Sequence, residues 1–204
     1  MTIETQEQNG ADLYKLMTAI IVPRPIGWVA TQNTAGVDNL APFSFFNMVA
    51  YDPPHVMFSP ITVKNKKKDT LTNILETEEF VINLVTEDNV AQMNQTAVEL
   101  PHGASEFEYA DLETLPSLHV QPKRVKISPI HLECKKVFDY AIPGKNDGGA
   151  TLIVGKVLAI HIDDTLMEED FKINRNRYKP VGKLEGGWYT KTNEAFHILR
   201  KRTP

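Results

Sequence analysis

Residues 39–47, Asn-Leu-Ala-Pro-Phe-Ser-Phe-Phe-Asn, set a proline and three polar side chains among three phenylalanines. Pro42 has no N–H, so this stretch cannot be a central strand paired along its whole length. It leaves backbone donors and acceptors beside flat aromatic surface, a combination that suits a planar heterocycle with a hydrogen-bonding rim. A core strand followed by a turn explains the same residues equally well. A second cluster, Lys64-Asn-Lys-Lys-Lys68, runs straight into Asp69-Thr70-Leu71, where a helical pattern begins. Free N–H groups and the helix dipole favour an anion at such a start, so the cluster makes a reasonable phosphate seat. Most lysine runs are merely solvated, and Lys64 and Lys66 are read that way. In Pro180-Val-Gly-Lys-Leu-Glu-Gly-Gly-Trp-Tyr189, Gly186 and Gly187 permit close backbone approach next to two aromatic rings. A plain turn with aromatic packing is the equal alternative there.

Side chains for acid/base or nucleophilic work are not assembled. His55, His102, His119, His131, His161 and His197 follow no metal-ligand spacing, and HExxH is absent, so no metal is expected. No Ser/His/Asp or Cys/His arrangement emerges, and acyl transfer is not indicated. His161, just ahead of Asp163 and Asp164, reads as a satisfied or surface histidine. Cys134 is the single cysteine, which excludes an intrachain disulfide and a cysteine-cluster metal site. Ile130, Leu132 and Cys134 alternate with His131, Glu133 and Lys135, the pattern of a buried, inert thiol.

The elements that must hold these residues follow from period and punctuation. At 204 residues, 42% of them hydrophobic, the chain is most economically one domain with a substantial core. Residues 1–10 read as a loose tail and 11–204 as the domain. Leu13, Leu16, Met17 and Ile20 share one face of a short helix over 12–19. Strands are expected at 26–31, 45–50, 55–59 and 80–85. Asp69 is the expected N-cap of a helix striped by Leu71, Ile74 and Leu75. Val90, Met93, Ala97 and Val98 mark another, starting near Glu87 and Asp88. The stretch 100–122 carries Pro101, Gly103, Pro116 and Pro122 and reads as a long loop, in which His102 is placed to move over a site. Long strands follow at 124–140 and 151–162, joined by a turn-rich 143–149. The second is partly apolar on both faces, which suits a strand inside a closed barrel or at a subunit contact. This pattern, with no G-x-G-x-x-G after a strand, argues against a doubly wound nucleotide fold. A net charge of −4 argues against a general nucleic-acid binder. No apolar run approaches the roughly 20 residues that cross a bilayer, and the polar N-terminus lacks a signal-peptide plan. A cytoplasmic protein with neither nucleic acid nor membrane as partner is expected.

Several motifs in one order carry a resemblance: RPIGWVAT at 24–31, NLAPFSFFN at 39–47, DPPHVMFSP at 52–60, KDTLTNI at 68–74, EFVINLV at 79–85, Leu132-Glu-Cys134, Gly155-Lys-Val157 and PVGKLEGGWY at 180–189. From about residue 13 to 189 the chain resembles the flavin reductase-like family, and within it the flavoredoxin-like branch. The resemblance implies a mainly β chain with short helices, folded as an FMN-binding split β-barrel. It implies non-covalent FMN, with Asn39, Ala41, Pro42, Ser44, Phe45, Phe46 and Asn47 about the ring, Ser59, Lys67, Lys68, Thr70 and Asn73 about the phosphate, and Thr31 and Asp69 as further cofactor-binding residues. His102, Trp188 and Tyr189 would line a substrate mouth. No catalytic side chain is required, because the flavin carries the chemistry. NAD(P)H would reduce the bound flavin by hydride transfer to N5, and electrons would pass to free flavin or another acceptor. A flavoredoxin-like carrier that exchanges electrons with protein partners is the alternative. The family more often has Arg at position 183 and Gly at 185, which leaves the role of Lys183 open. A homodimer with each flavin near the subunit boundary is also implied. The doubly apolar strand and the exposed-looking Phe43, Trp188 and Tyr189 point the same way.

Overall fold

The computed structural model describes residues 1–62, 66–101, 103–144 and 149–200. Lys64, His102 and most of the 143–149 turn lie outside them. The chain runs through α1 (Gly10–Ile20), β1 (Gly27–Gln32), β2 (Asp38–Phe43), β3 (Phe46–Tyr51), β4 (Pro54–Phe58), α2 (Asp69–Thr77), β5 (Glu79–Leu84), α3 (Val90–Gln95) and α4 (Glu106–Tyr109). It continues through β6 (Thr114–Leu115), β7 (Arg124–Val125), β8 (Ile130–Pro143), β9 (Gly149–Ile162), β10 (Met167–Glu168), β11 (Lys172–Ile173), β12 (Val181–Lys183) and β13 (Tyr189–Lys191). Seven strands make one antiparallel sheet in the order β2-β1-β5-β8-β9-β4-β3, and the short strands pair off as β6-β7, β10-β11 and β12-β13. The chain is therefore mainly β, as expected. The two edge strands, β2 and β3, are separated in sequence only by Ser44 and Phe45, so the sheet has to curl until its edges approach. At that seam Ser59 N donates to Phe45 O at 2.9 Å.

Pro42 sits where a proline can. In the β1–β2 register Ala30 faces Leu40 and Trp28 faces Pro42. Leu40 N points away from β1 and donates to a side chain of α4. By the two-residue period of a strand, the ring nitrogen of Pro42 also faces outward, so the proline removes no ladder bond.

Both faces of β1 and β5 are covered. Val29, Phe43, Phe46, Phe58, Phe80, Ile82, Cys134 and Ile153 pack in one cluster with Leu71 and Ile74 of α2. Trp28, Ala30, Leu40, Val81, Met93, Phe107 and Val125 pack in a second. Alternate residues of β1 and β5 thus enter different clusters. Each fully buried apolar side chain contributes about 1.5–3 kcal/mol. The tightest crossing is at Gly155 of β9, where a Cβ would lie 2.3 Å from Phe80 Cζ.

Several expectations need correction. The first helix starts at Gly10, capped by the Asn9 side chain accepting from Asp12 N. Its stripe is not a core face: Leu16, Met17 and Ile20 are exposed, and Thr18 is the buried residue. Lys68, not Asp69, holds the N-cap position of α2, and it makes no side-chain cap bond. The third helix stops at Gln95, leaving Ala97 and Val98 outside it. The 100–122 loop contains α4 and β6. The long strand begins at Ile130, after Pro129 and the turn that Ser128 N closes onto Val125 O, and not at 124. Phe43 is buried in the first cluster and is not an exposed aromatic.

Candidate functional site

Thr31, Asn39, Thr70 and Asn73 come from three elements and meet in one buried polar cluster. Thr31 and Asn39 face each other across β1 and β2. Thr70 and Asn73 reach them from one face of α2, while Leu71 and Ile74 of that helix enter the core. Thr31 Oγ1 donates to Asn39 Oδ1 at 3.2 Å, and Thr70 Oγ1 donates to the same oxygen at 2.8 Å. Asn73 Nδ2 donates to Thr31 Oγ1 at 3.0 Å. A residue that sequence reasoning missed completes the set: Glu106 Oε2 accepts from Asn39 Nδ2 at 2.8 Å and from Leu40 N at 2.9 Å. Burial pushes the Glu106 carboxyl up from its ordinary range, opposed by these hydrogen bonds and aided weakly by the charge of Asp69. Nothing in its irregular stretch of sequence marks Glu106; only the fold brings it to Asn39.

The cluster underlies an accessible surface. Lys67 and Lys68 are exposed and Asp69 is half-buried at the start of α2. The Thr70 N–H has no acceptor among the described residues. Ala41, Pro42, Ser44 and Phe45 are half-buried along the seam. Asn47 is exposed, and its Oδ1 accepts from Met48 N at 2.8 Å. Ser59, at the other side of the seam, donates from Oγ to Thr151 O at 3.4 Å. Phe46 is in the core cluster, where its ring packs over Gly27. A terminal phosphate fits the donors and lysines at the start of α2, and a flat ring fits the half-buried seam.

Arg24 ties the hairpin β12–β13 to this end of the molecule, and Lys183 holds the hairpin's own tip. Arg24 is buried, and Nη1 donates to Thr18 O at 2.6 Å and Ile21 O at 2.8 Å. Its Nη2 donates to Leu184 O at 2.8 Å and Nε to Ser44 Oγ at 3.3 Å. One side chain therefore ties α1, the hairpin and the seam together. Lys183 Nζ donates to Gly186 O and to Trp188 O, and lies 4.3 Å from the Tyr189 ring centroid. Desolvation, then the Arg24 charge, lowers its pKa. Lys183 thus staples the tip of the hairpin. Gly186 takes a φ of 50°, the left-handed conformation that favours glycine. Trp188 is 70% exposed beside it, and Tyr189 Oη donates to Asn94 Oδ1 at 3.1 Å.

A second polar network lies elsewhere. Glu133 is fully buried and accepts from Leu118 N at 2.8 Å, His119 N at 2.6 Å and His161 Nε2 at 2.6 Å. His161 is accordingly a satisfied histidine. Those bonds outweigh desolvation and hold the Glu133 carboxyl below its ordinary range. His131 Nε2 donates to Val125 O at 2.9 Å, and its Nδ1 is buried without a partner. Burial lowers the His131 pKa to about 4 and pushes the inert Cys134 thiol up. A cavity of about 580 Å³ beside Thr86, Asp88, Asp163, Arg177 and Tyr178 includes no residue of 39–47 or 67–73. Among the described residues no acidic, histidine or cysteine group is arranged to hold a metal, and no helix is long and apolar enough to cross a membrane.

Known proteins share this sequence and shape. A model of the flavin reductase like domain matches residues 17–182. An uncharacterized protein of Aquifex aeolicus is 40% identical over 195 residues, 94% of this chain and 95% of its own. The crystal structure of nitrilotriacetate monooxygenase component B from Bacillus cereus superposes with a TM-score of 0.92 at 35% identity, over 97% of this chain and 98% of that one. Flavoredoxin of Desulfovibrio vulgaris (Miyazaki F) has the same fold, with a TM-score of 0.73 at 18% identity over 98% and 97% of the two chains. The curled seven-stranded sheet is the split barrel of these proteins, and the chain belongs to the flavin reductase-like family.

Proposed function

We propose that the protein is an FMN-dependent reductase that takes electrons from NAD(P)H and passes them to free flavin or another acceptor. The observation that carries this reading is the Thr31–Asn39–Thr70–Asn73 cluster, which fixes the start of α2 against the barrel seam in a chain of this family. When bound, FMN supplies the hydride-accepting and electron-passing chemistry. The chain's own task is to hold and orient it. The first turn of α2, with Lys67, Lys68 and Ser59 nearby, would take the phosphate. Ala41, Pro42, Ser44 and Phe45 would meet the ring, and Trp188 would stand at the mouth where a nicotinamide enters. Arg24 keeps Ser44 in register with that mouth through its bond to Ser44 Oγ. His102, assigned to the mouth from sequence, is outside the described residues.

The same reading includes a homodimer and a cytoplasmic setting, the latter resting on sequence alone. Support for the dimer is a set of apolar side chains left exposed among the described residues. It comprises Val137, Phe138, Tyr140 and Ile142 of β8, Leu158 and Ile160 of β9, and Met48, Val49 and Tyr51 of β3, all exposed. The test begins with purification: the protein should be yellow, with FMN released by acid or heat. Anaerobic mixing with NADH or NADPH should then bleach the flavin absorbance rapidly. Bleaching only by a reduced protein partner would make the protein an electron carrier, FAD in the extract would overturn the phosphate seat, and a colourless protein that binds no added flavin would overturn the whole reading.

A further inference from the structure

An ionised carboxylate only accepts hydrogen bonds. Glu106 Oε2 takes both Asn39 Nδ2–H and Leu40 N–H, so the Asn39 amide must turn its NH2 towards α4 and its oxygen towards α2. That oxygen then receives the hydroxyl protons of Thr31 and Thr70. Having donated, Thr31 is left to accept, and it takes Asn73 Nδ2–H. The opposite amide orientation would aim Oδ1 at the carboxylate. A single acid on α4, itself anchored by the Leu40 N–H, therefore sets the direction of four hydrogen bonds that join β1, β2, α2 and α4. The Thr70 hydroxyl has spent its proton inward, so what Thr70 can offer an anion is its backbone N–H, held in place from below.

We propose that Glu106 is a positioning residue for the flavin phosphate, fixing the first turn of α2 through Asn39 and Thr70; this rests on the flavin reading given above. Glu106 touches neither ring nor phosphate. Its effect should fall on FMN and spare riboflavin, which lacks the phosphate.

Titration of the full chain with FMN and with riboflavin at fixed salt tests this. Glu106→Gln keeps an acceptor oxygen for Asn39 and Leu40 and should bind FMN within about threefold of wild type, whereas Glu106→Ala and Thr70→Val should each weaken FMN by about tenfold or more. Riboflavin affinity should stay within about twofold in all three, and the double variant should be no weaker than the worse single one, because both cut one path. Parallel loss of both flavins, additive losses, or wild-type FMN binding by Glu106→Ala would overturn the proposal. Should Glu106→Ala fail to fold, the Asn39 side-chain amide decides by NMR. It should be protected from exchange in wild type and Glu106→Gln, and free exchange overturns the proposal. A wild-type protein that binds neither flavin fails the flavin reading and this proposal with it. Flavin binding indifferent to Glu106 fails this proposal alone.

Discussion

At the scale of residues, charge placement is the testable matter. Lys68 is exposed at the N-cap position of α2. Lys68→Ala should raise the Kd for FMN roughly ten- to a hundredfold, the loss of one charge-assisted hydrogen bond to phosphate. Lys66→Ala, two residues earlier and also exposed, should change it far less, and equal effects in a flavin titration would return the run to a solvated face. His131 gives a pH prediction. Its folded pKa lies near 4, below the ordinary 6.5, so the unfolded chain takes up a proton first as pH falls. This stability is fully present above about pH 6.5 and is lost towards pH 4, at about 1.4 kcal/mol per unit, or about 2 kcal/mol by pH 5. The raised pKa of Glu106 works in the opposite sense, because there the folded chain binds its proton first. Glu133, held low, contributes loss only below its ordinary 4.5. Urea midpoints at pH 7 and pH 5 should show His131→Asn losing less stability across this range than wild type. Sequence made Thr31, Asn39, Thr70 and Asn73 legible because they stand in ordered motifs. Glu106 and the role of Lys183 were not, because each depends on partners placed by the fold.

At the scale of elements, period and punctuation located the strands of the barrel to within a residue or two at β1, β4 and β5. They misjudged three places for physical reasons. Pro129 separates β7 from β8, although the apolar alternation runs through it. The stripe Val90, Met93, Ala97 and Val98 outlasts the helix, since only Met93 finds a buried place. The stripe on α1 forms a helix as expected but faces away from its own chain, which is held through Thr18 and Arg24 instead. The β5–β9 crossing carries a prediction. Phe80 is fully buried, and a Cβ at Gly155 would meet its ring at 2.3 and 2.8 Å. Gly155→Ala should cost about 1–3 kcal/mol by overpacking, read as a lower urea midpoint with an unchanged slope. Wild-type stability in that variant would mean the ring has room to swing that the packing does not show.

At the scale of the whole molecule, the expected dimer makes flavin binding and assembly one equilibrium. If FMN contacts both subunits, it must bind the dimer better than the monomer and so strengthen association. Sedimentation of apo and FMN-loaded protein over a dilution series should show the loaded form resisting dissociation to lower concentration. A monomer that keeps full FMN affinity would defeat the shared site. The overall architecture was legible because strand periodicity and a lack of strand–helix alternation leave few alternatives. The exposed apolar side chains were legible only in part: Leu158 stands in the strand read as apolar on both faces, but nothing in the sequence marked Met48, Val49 and Tyr51 of β3 as exposed.

The edge strand β2 has a further consequence for the protein's life in a crowded solution. A bare sheet edge is a template on which another chain can add strand after strand, the first step towards fibrils. Along the outward side of β2, the Leu40 N–H is already taken by Glu106, and two residues on, Pro42 presents a ring in place of a donor. A stray strand arriving there finds no free N–H donor at either position. On the opposite edge, β3 breaks register between Met48 and Ala50, and a bulge of that kind spoils a regular ladder. The segment read from sequence as a place for a cofactor is thus also a guard, keeping an open barrel seam from becoming a seed for aggregation.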